Sequence, residues 1–344
     1  MSEKKVNNIK LTIAIPTFNG ALRIQETLDS IINQISIANE KVEIVISDNA
    51  STDKTPQIVK SYQEVYPFIK YFCNDENLGV DCNFDLAIQR ASGEYVWFFG
   101  DDDKMAPGGI QKVLMVLGQN SDISNIFVNC KMMDSTFTQC YEERVIHIYE
   151  DLLLKRADDF LLQIGPTATL VPAIVVRRSL WLKVDNIQLF GTEWLVLIMI
   201  FSIMPGHTAY IISKPYSLFN SGSQRWHKKG HFLKMILKLC SLLPLLIEYG
   251  YTQSAVNKTI KKLTCNPTFL IFNAKRNGLN VDIQLIKDVC KIFGRSTYFW
   301  IFGFPLLLLP KIIHDYTWEF YQIPLIKRTY QKIKSHTFAK VSSK

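Results

Sequence analysis

The stretch Tyr95-Val96-Trp97-Phe98-Phe99-Gly100-Asp101-Asp102-Asp103-Lys104 passes from five apolar residues to three consecutive carboxylates across one glycine. The apolar half reads as a buried strand. The acids cannot follow it into the sheet, because burying an ionised carboxylate costs far more than sheet pairing returns. They must lie at the strand's carboxyl end, where open α/β sheets place their ligands. Three like charges in one turn call for a counter-charge, and a divalent cation bridging to a diphosphate supplies it. The loop therefore points to an enzyme acting on an activated, phosphate-bearing donor.

Upstream, strands and helices alternate at short spacing. Leu11 to Pro16, Val42 to Ser47 and Phe68 to Phe72 read as strands. Ile24, Leu28, Ile31, Ile32 and Ile35 recur at helical spacing, as do Phe84, Ala87, Ile88 and Ala91. Thr55 as N-cap with Pro56 behind it opens the helix between them. This rhythm predicts a mostly parallel sheet with helices on both faces. Four loops then share one edge: Ala14 to Gly20, Ser47 to Asp53, Asn77 to Gly79, and Gly100 to Asp103. No G-x-G-x-x-G follows the first strand and no G-x-x-x-x-G-K-[ST] occurs, which disfavours a dinucleotide-binding fold and a P-loop.

Beyond residue 110 the pattern blurs. Ser124 to Cys130 and Ala209 to Ser213 read as strands, Glu193 to Met204 as a buried helix, and the chain from about Ser221 onward as helical. Residues 9–220 are taken as the catalytic domain and 221–344 as a helical C-terminal region.

The chain has 344 residues, 48% hydrophobic and 20% charged, with a net charge of +8. A mean hydropathy of +0.07 is high for a freely soluble protein. From Lys327 to Lys344 there are six Lys/Arg and no acid. Such a tail is either a solvated end or an attraction to an anionic membrane surface. No recognition motif accompanies the charge, so nucleic acid is not an expected partner. Seven scattered cysteines without a C-x-x-C read as reduced thiols of a cytosolic protein. The polar start MSEKKVNNIK lacks the apolar core of a signal peptide. Phe299 to Pro310 is too short to span a bilayer and is broken by Gly303 and Pro305. With Trp300 and Trp318 flanking it, it reads either as a segment lying in a membrane interface or as a buried helix end or oligomer contact.

In order and spacing, AIPTFNG (14–20), EIVISDNASTD (43–53), NLGVDCNFDLAI (77–88) and ASGEYVWFFGDDD (91–103) resemble the family 2 inverting glycosyltransferases of the GT-A fold. Within them the likeness is to bacterial O-antigen sugar transferases of the abequosyltransferase-like group, to which ISKPYSLF (212–219) also conforms; it covers roughly residues 9–230. The resemblance implies a GT-A-like α/β fold, a nucleotide-sugar donor, a lipid-linked saccharide acceptor and Mg2+ or Mn2+. It implies a protein peripheral to the inner face of the cell membrane. Pro16, Thr17 and Phe18 match the loop against the nucleotide, and Asp48 the acid contacting the nucleobase. Asp101 to Asp103 match the D-x-D region. Asp101 and Asp102 are placed with the donor, Asp103 as the principal metal ligand and Asp101 as a second. The general base is placed at Glu193, in Gly191-Thr192-Glu193-Trp194, where a single acid stands although two are common; Asp185 is the backup.

Other readings stay open. Asp48 also suits an Asx-turn closing on its own backbone, and Glu193 a first-turn acid favoured by the helix dipole. Asp53 and Thr52 read as capping groups. His227 and Arg225 suit either a solvated basic loop or the diphosphate, His207 a turn, and Trp181 and Trp194 either core packing or an acceptor sugar. A nucleotidyltransferase and a membrane-associated scaffold without activity are the competing functions.

Overall fold

The computed structural model describes residues 9–35, 41–222, 231–311, 313 and 315. It divides into two compact units: residues up to 223 together with 241–262, and residues 224–240 together with 263–344.

The first unit is built on β1 (Leu11–Thr17), α1 (Ile24–Ile32), β2 (Val42–Asp48), α2 (Thr55–Val65), β3 (Ile69–Cys73), α3 (Val80–Arg90) and β4 (Tyr95–Phe98). It continues through β5 (Lys104–Met105), α4 (Gly109–Gln119), β6 (Ile123–Met133), β7 (Cys140–Glu142), β8 (Leu152–Leu154) and α5 (Ala157–Ile164). Then come β9 (Ile174–Arg177), α6 (Arg178–Trp181), α7 (Leu195–Ser202) and β10 (Thr208–Asn220).

The strands run β3-β2-β1-β4-β9-β6-β10-β5, with β7 on β6 and β8 on β10. β3, β2, β1 and β4 are parallel, as are β6 and β10. β9 joins the halves antiparallel to both β4 and β6. The β-branched runs of β1 and β2 are buried along their length apart from Pro16, as expected of strands covered on both faces. α1 turns Ile24, Leu28, Ile31 and Ile32 onto that sheet. The eight residues of α7 are all buried, which fits a helix apolar on every side.

The sequence reading missed the short strands β5, β7, β8 and β9 and misplaced one helix start. β9 was not foreseen: four residues after a run of 3-10 turns carry too little pattern to announce a strand. Thr55 is the first helical residue rather than the cap, and the Asp53 carboxylate takes its backbone N–H at 2.9 Å.

α8 (His231–Leu242) and α9 (Gln253–Leu263) follow the sheet. Residues 251–262 pack on the first unit. The Tyr251 hydroxyl donates to the Phe201 carbonyl at 2.9 Å, and Lys262 Nζ donates to the Leu162 carbonyl at 2.7 Å. The second unit holds α10 (Pro267–Arg276), α11 (Ile283–Phe293) and α12 (Phe304–Leu308). Its own core joins Leu233, Ile271, Val289, Phe293, Phe299 and Leu307.

Candidate active site

The chain leaves β1 toward β2 on one side and arrives at β4 from the other, so strand order reverses between β1 and β4. Loops diverge at such a switch point and open a crevice beyond the strand ends. Here the crevice is bridged: the Thr17 hydroxyl donates to Asp101 Oδ2 at 2.6 Å. Gly20 makes this approach possible, since a Cβ there would sit 2.5 Å from both Asp101 Oδ2 and Thr17 Oγ1.

The three acids of the β4 turn face different ways. Asp103 is turned inward, its Oδ1 accepting the Asn220 N–H at 2.9 Å while its own carbonyl accepts from the Thr27 hydroxyl. Burial pushes its pKa well up, and the negative charges of Asp102 and Asp101 push it further. Asp101 is buried against Thr17. Asp102 is the most exposed of the three, with Oδ2 4.0 Å from Arg23 Nε. Arg23, just before α1, has Nε and Nη2 buried with no hydrogen-bond partner. A shielded guanidinium beside a carboxylate cluster suits an oxyanion ligand.

The residues fit a hard divalent cation. They offer oxygen donors only, and their mutual repulsion is what a cation would relieve. Among the described residues no three side chains form a closed ligand set. That suits an ion bound through one or two carboxylates and completed by substrate phosphates.

At the end of β2, Asp48 is 0% exposed. Its Oδ1 accepts the Ser51 N–H at 2.9 Å and its Oδ2 the Tyr71 hydroxyl at 2.7 Å. This is the turn-closing arrangement. Burial, then the Asp48 charge, drives the Tyr71 pKa upward. Asn49 ties three loops together. Its backbone N–H donates to the Thr17 carbonyl at 2.9 Å, and its side-chain N–H groups to Asn77 Oδ1 and the Gly79 carbonyl. Its Oδ1 accepts from Asn74 Nδ2 and the Leu78 N–H. The β1 loop is latched to the β2 loop in turn. Asn19, Gly20 and Ala21 give their N–H groups to Ser51 Oγ, Thr55 Oγ1 and Asp53 Oδ2. Asp53 caps as expected, while Thr52 gives its N–H to Asn19 Oδ1. Pro16 is half-buried and Phe18 is exposed at the loop tip.

Glu193 sits just before α7 with φ of 65°, a left-handed conformation uncommon for glutamate. Asp81, in the first turn of α3, holds it there. Asp81 Oδ2 accepts the Glu193 N–H at 2.7 Å and Oδ1 the Leu195 N–H at 3.3 Å. Burial raises the Asp81 pKa, and the neighbouring Glu193 charge adds to it. Since Asn49 bonds the Gly79 carbonyl one residue before α3, Glu193 is anchored to the same sheet edge as the other loops. Among the described residues four non-glycine residues have positive φ: Asn19, Ala50, Phe137 and Glu193. Three of them lie on this edge, and strain of this kind gathers at functional sites. A pocket of about 310 Å³ lies between α3 and residues 186–190, lined by Leu78, Leu86, Ile187 and Phe190 among others.

Trp181 and Trp194 are buried, Trp181 giving its indole N–H to Asp85, so both are core groups. His207 lies in a turn beside Asp122, and Asp185 is exposed. Arg225 and His227 lie outside the described residues, as do Trp318 and the basic tail. Arg23, Asp81 and Tyr71 were not foreseen. Only Asp81 left a signal: Asp81, Asn83 and Asp85 put polar groups at every second position of an otherwise amphipathic helix, and all three are buried.

The description glycosyl transferase family 2 matches residues 12–179, which takes in β1 to β9 and all four loops. The chain carries a glycosyltransferase family 2 domain. Glu193 lies beyond the matched span. The chain is 28% identical over 259 residues to abequosyltransferase RfbV of Salmonella typhimurium, covering 70% of this chain and 75% of that protein. It is 33% identical over 122 residues to the GalNAc(5)-diNAcBac-PP-undecaprenol beta-1,3-glucosyltransferase of Campylobacter jejuni, covering 35% and 38%. Among solved structures, S. aureus TarS 1–349 in complex with UDP-GlcNAc superposes with a TM-score of 0.60 at 16% identity, covering 83% of this chain and 80% of that one. Mannosyltransferase PcManGT from Pyrobaculum calidifontis, in complex with GDP-Man and Mn2+, gives 0.52 at 16% identity, covering 97% and 86%. At these identities the structures speak for the fold alone, and they bear out the GT-A-like α/β class read from the sequence.

Proposed function

We propose that this family 2 domain is an inverting, metal-dependent glycosyltransferase moving a sugar from a nucleotide donor to a lipid-linked saccharide at the inner face of the cell membrane. The observation that carries the reading is the bridged switch point, with Thr17 on Asp101, Asp102 the most exposed of the three acids, and Arg23 beside it with two buried guanidinium nitrogens lacking a hydrogen-bond partner. The relatives support the substrate class: one is named as an abequosyltransferase, another for an undecaprenol-linked acceptor.

Pro16, Thr17 and Phe18 would lie along the nucleotide, and Asp48, fixed by Ser51 and Tyr71, would read its base. Asp103 is committed to Asn220, so on this geometry the principal ligand role expected of it passes to Asp102, with Asp101 beside it. Mg2+ or Mn2+, when bound, would supply Lewis-acid stabilisation of charge on the leaving diphosphate. Arg23 would meet the same charge from the protein side, with Nε and Nη2 already buried. The acceptor hydroxyl must lose its proton as it attacks, and Glu193 is the base proposed to take it. Inversion in one displacement needs no covalent enzyme intermediate. The pocket between α3 and residues 186–190 would seat part of the acceptor.

Calorimetry with UDP, dTDP, CDP and GDP, each with and without Mg2+ or Mn2+, tests the reading. One nucleotide should bind in a metal-dependent manner, and Asp102→Asn should remove the metal requirement together with most of the affinity. Failure of every nucleotide to bind would return the scaffold reading to first place. The family match already favours transfer of a sugar over transfer of a nucleotidyl group.

A further inference from the structure

Residues 297–308 are helical without a break, a π-helical stretch (Phe299–Gly303) running directly into α12. Phe299, Gly303 and Leu307, four apart, turn inward onto the core of the second unit. Gly303 has no room for a side chain, since a Cβ there would lie 2.9 Å from the Phe299 ring. The other side is equally apolar. Tyr298, Trp300, Ile301, Phe302 and Leu308 are each 46–59% exposed, and Pro305 is exposed among them. A helix apolar on every side is ordinarily covered, by protein or by lipid. In the first unit, by contrast, exposed large apolar residues such as Leu22, Val65 and Tyr149 stand singly along the chain.

Charge says what covers this face. Between Asp288 and Asp315 the sequence holds Lys291, Arg295 and Lys311 and no acid, Lys311 lying 3.8 Å from Asp315, and the six cations of residues 327–344 follow in the chain. Lys291, Arg295 and Lys311 are exposed. Two copies meeting through the face would bring these cations together, whereas an anionic lipid surface would neutralise them. Composition agrees. Trp300 satisfies its one polar group by giving its indole N–H to the Gly294 carbonyl at 2.8 Å, and Tyr298 shares its hydroxyl with Thr268. Aromatic side chains with a satisfied polar end are the residues that settle at a membrane interface. No helix among the described residues is long and apolar enough to cross a membrane, and a short helix with an apolar outer face suits the interface.

We propose that the outer side of residues 298–308 is a docking face for an anionic lipid bilayer, inserting Trp300, Ile301, Phe302 and Leu308 among the acyl chains while Lys291, Arg295 and Lys311 meet the headgroups. The inference deepens the membrane part of the proposed function and is independent of the donor site.

The test is co-sedimentation of the full chain with vesicles of phosphatidylcholine alone and of phosphatidylcholine mixed with phosphatidylglycerol. Binding is expected on the mixed vesicles, weakening as salt rises. The double variant Ile301→Glu/Phe302→Glu should lower it on the order of 10–100-fold, and Trp300→Phe should leave it nearly unchanged. Quenching of tryptophan fluorescence by brominated lipid in the same vesicles reads the face without a charged substitution, and Trp300→Phe should remove most of it. Binding that survives the double variant, or quenching that survives Trp300→Phe, overturns the face while leaving membrane contact in place. Absence of binding to any vesicle overturns both. A dimer in light scattering that the double variant dissociates, without vesicle binding, assigns the face to a second copy. Nucleotide calorimetry on the double variant should be unchanged, which keeps failure here apart from failure of the donor-site reading.

Discussion

The β4 turn and the α7 turn solve one problem in two ways. Each holds a partly exposed acid, Asp102 in one and Glu193 in the other, beside a buried aspartate with a raised pKa. In each, the buried aspartate accepts backbone N–H groups from a distant segment: Asp103 from Asn220, Asp81 from Glu193 and Leu195. In the β4 turn the two acids are chain neighbours, so position and charge are set locally. In the α7 turn they are 112 residues apart, and only the fold brings them together. A carboxylate buried this way is unfavourable in its charged form; Asp81 holds the Glu193 backbone directly, whereas Asp103 holds Asn220.

The sharpest way to break the comparison is Glu193→Gln. With the acid gone and the turn intact, turnover should fall by about 10²–10⁴-fold while nucleotide affinity in calorimetry stays the same. An unchanged rate would reduce Glu193 to a first-turn acid and pass the base role elsewhere. Next in size is Arg23→Ala. Loss of a charge-assisted contact to phosphate should weaken nucleotide binding by roughly 10–100-fold, without changing which metal is required.

Asp81→Asn sharpens the contrast. An amide has one acceptor oxygen where the carboxylate uses two, so one of the Glu193 and Leu195 N–H groups is left unpaired. A destabilisation of about 1–3 kcal/mol is expected in denaturant melts, with a drop in kcat larger than any change in KM. Asp103→Asn should do the opposite to stability. The amide oxygen can still accept from Asn220, and the repelled charge disappears. Tm should rise by a few degrees, about 2–4 °C for each kcal/mol in a domain of this size. The sign follows from linkage. A carboxylate with a raised folded pKa binds its proton more tightly in the native state, so its contribution is full below the unfolded pKa and is lost as pH rises through the folded one. The stability advantage of the variant should therefore grow with pH across that window. An advantage independent of pH would show that Asp103 is not the buried charge described here.

The parallel half of the sheet was legible because strands covered on both faces and amphipathic helices each leave a period in the sequence. The DDD turn was legible because charge cannot enter a strand. Asp48 was read both as a base contact and as a turn closer, and the structure shows the turn. β9 and the pairing of Asp81 with Glu193 were not legible. A strand of four residues has no period to detect, and a hydrogen bond between positions 81 and 193 leaves no local mark. The direction of each acid was equally hidden. Three identical residues in a row say that a cluster exists and nothing about which one Asn220 draws inward.

Asn49 has a consequence in time. Its side-chain amide uses both donors and both acceptor positions, and its backbone N–H holds the β1 loop. The backbone amides of Asn49 and Leu78 and the side-chain amide of Asn74 are thereby tied to one residue. The two backbone amides should exchange with solvent deuterium as one cooperative unit, opening together or not at all, so that this sheet edge has a single clock.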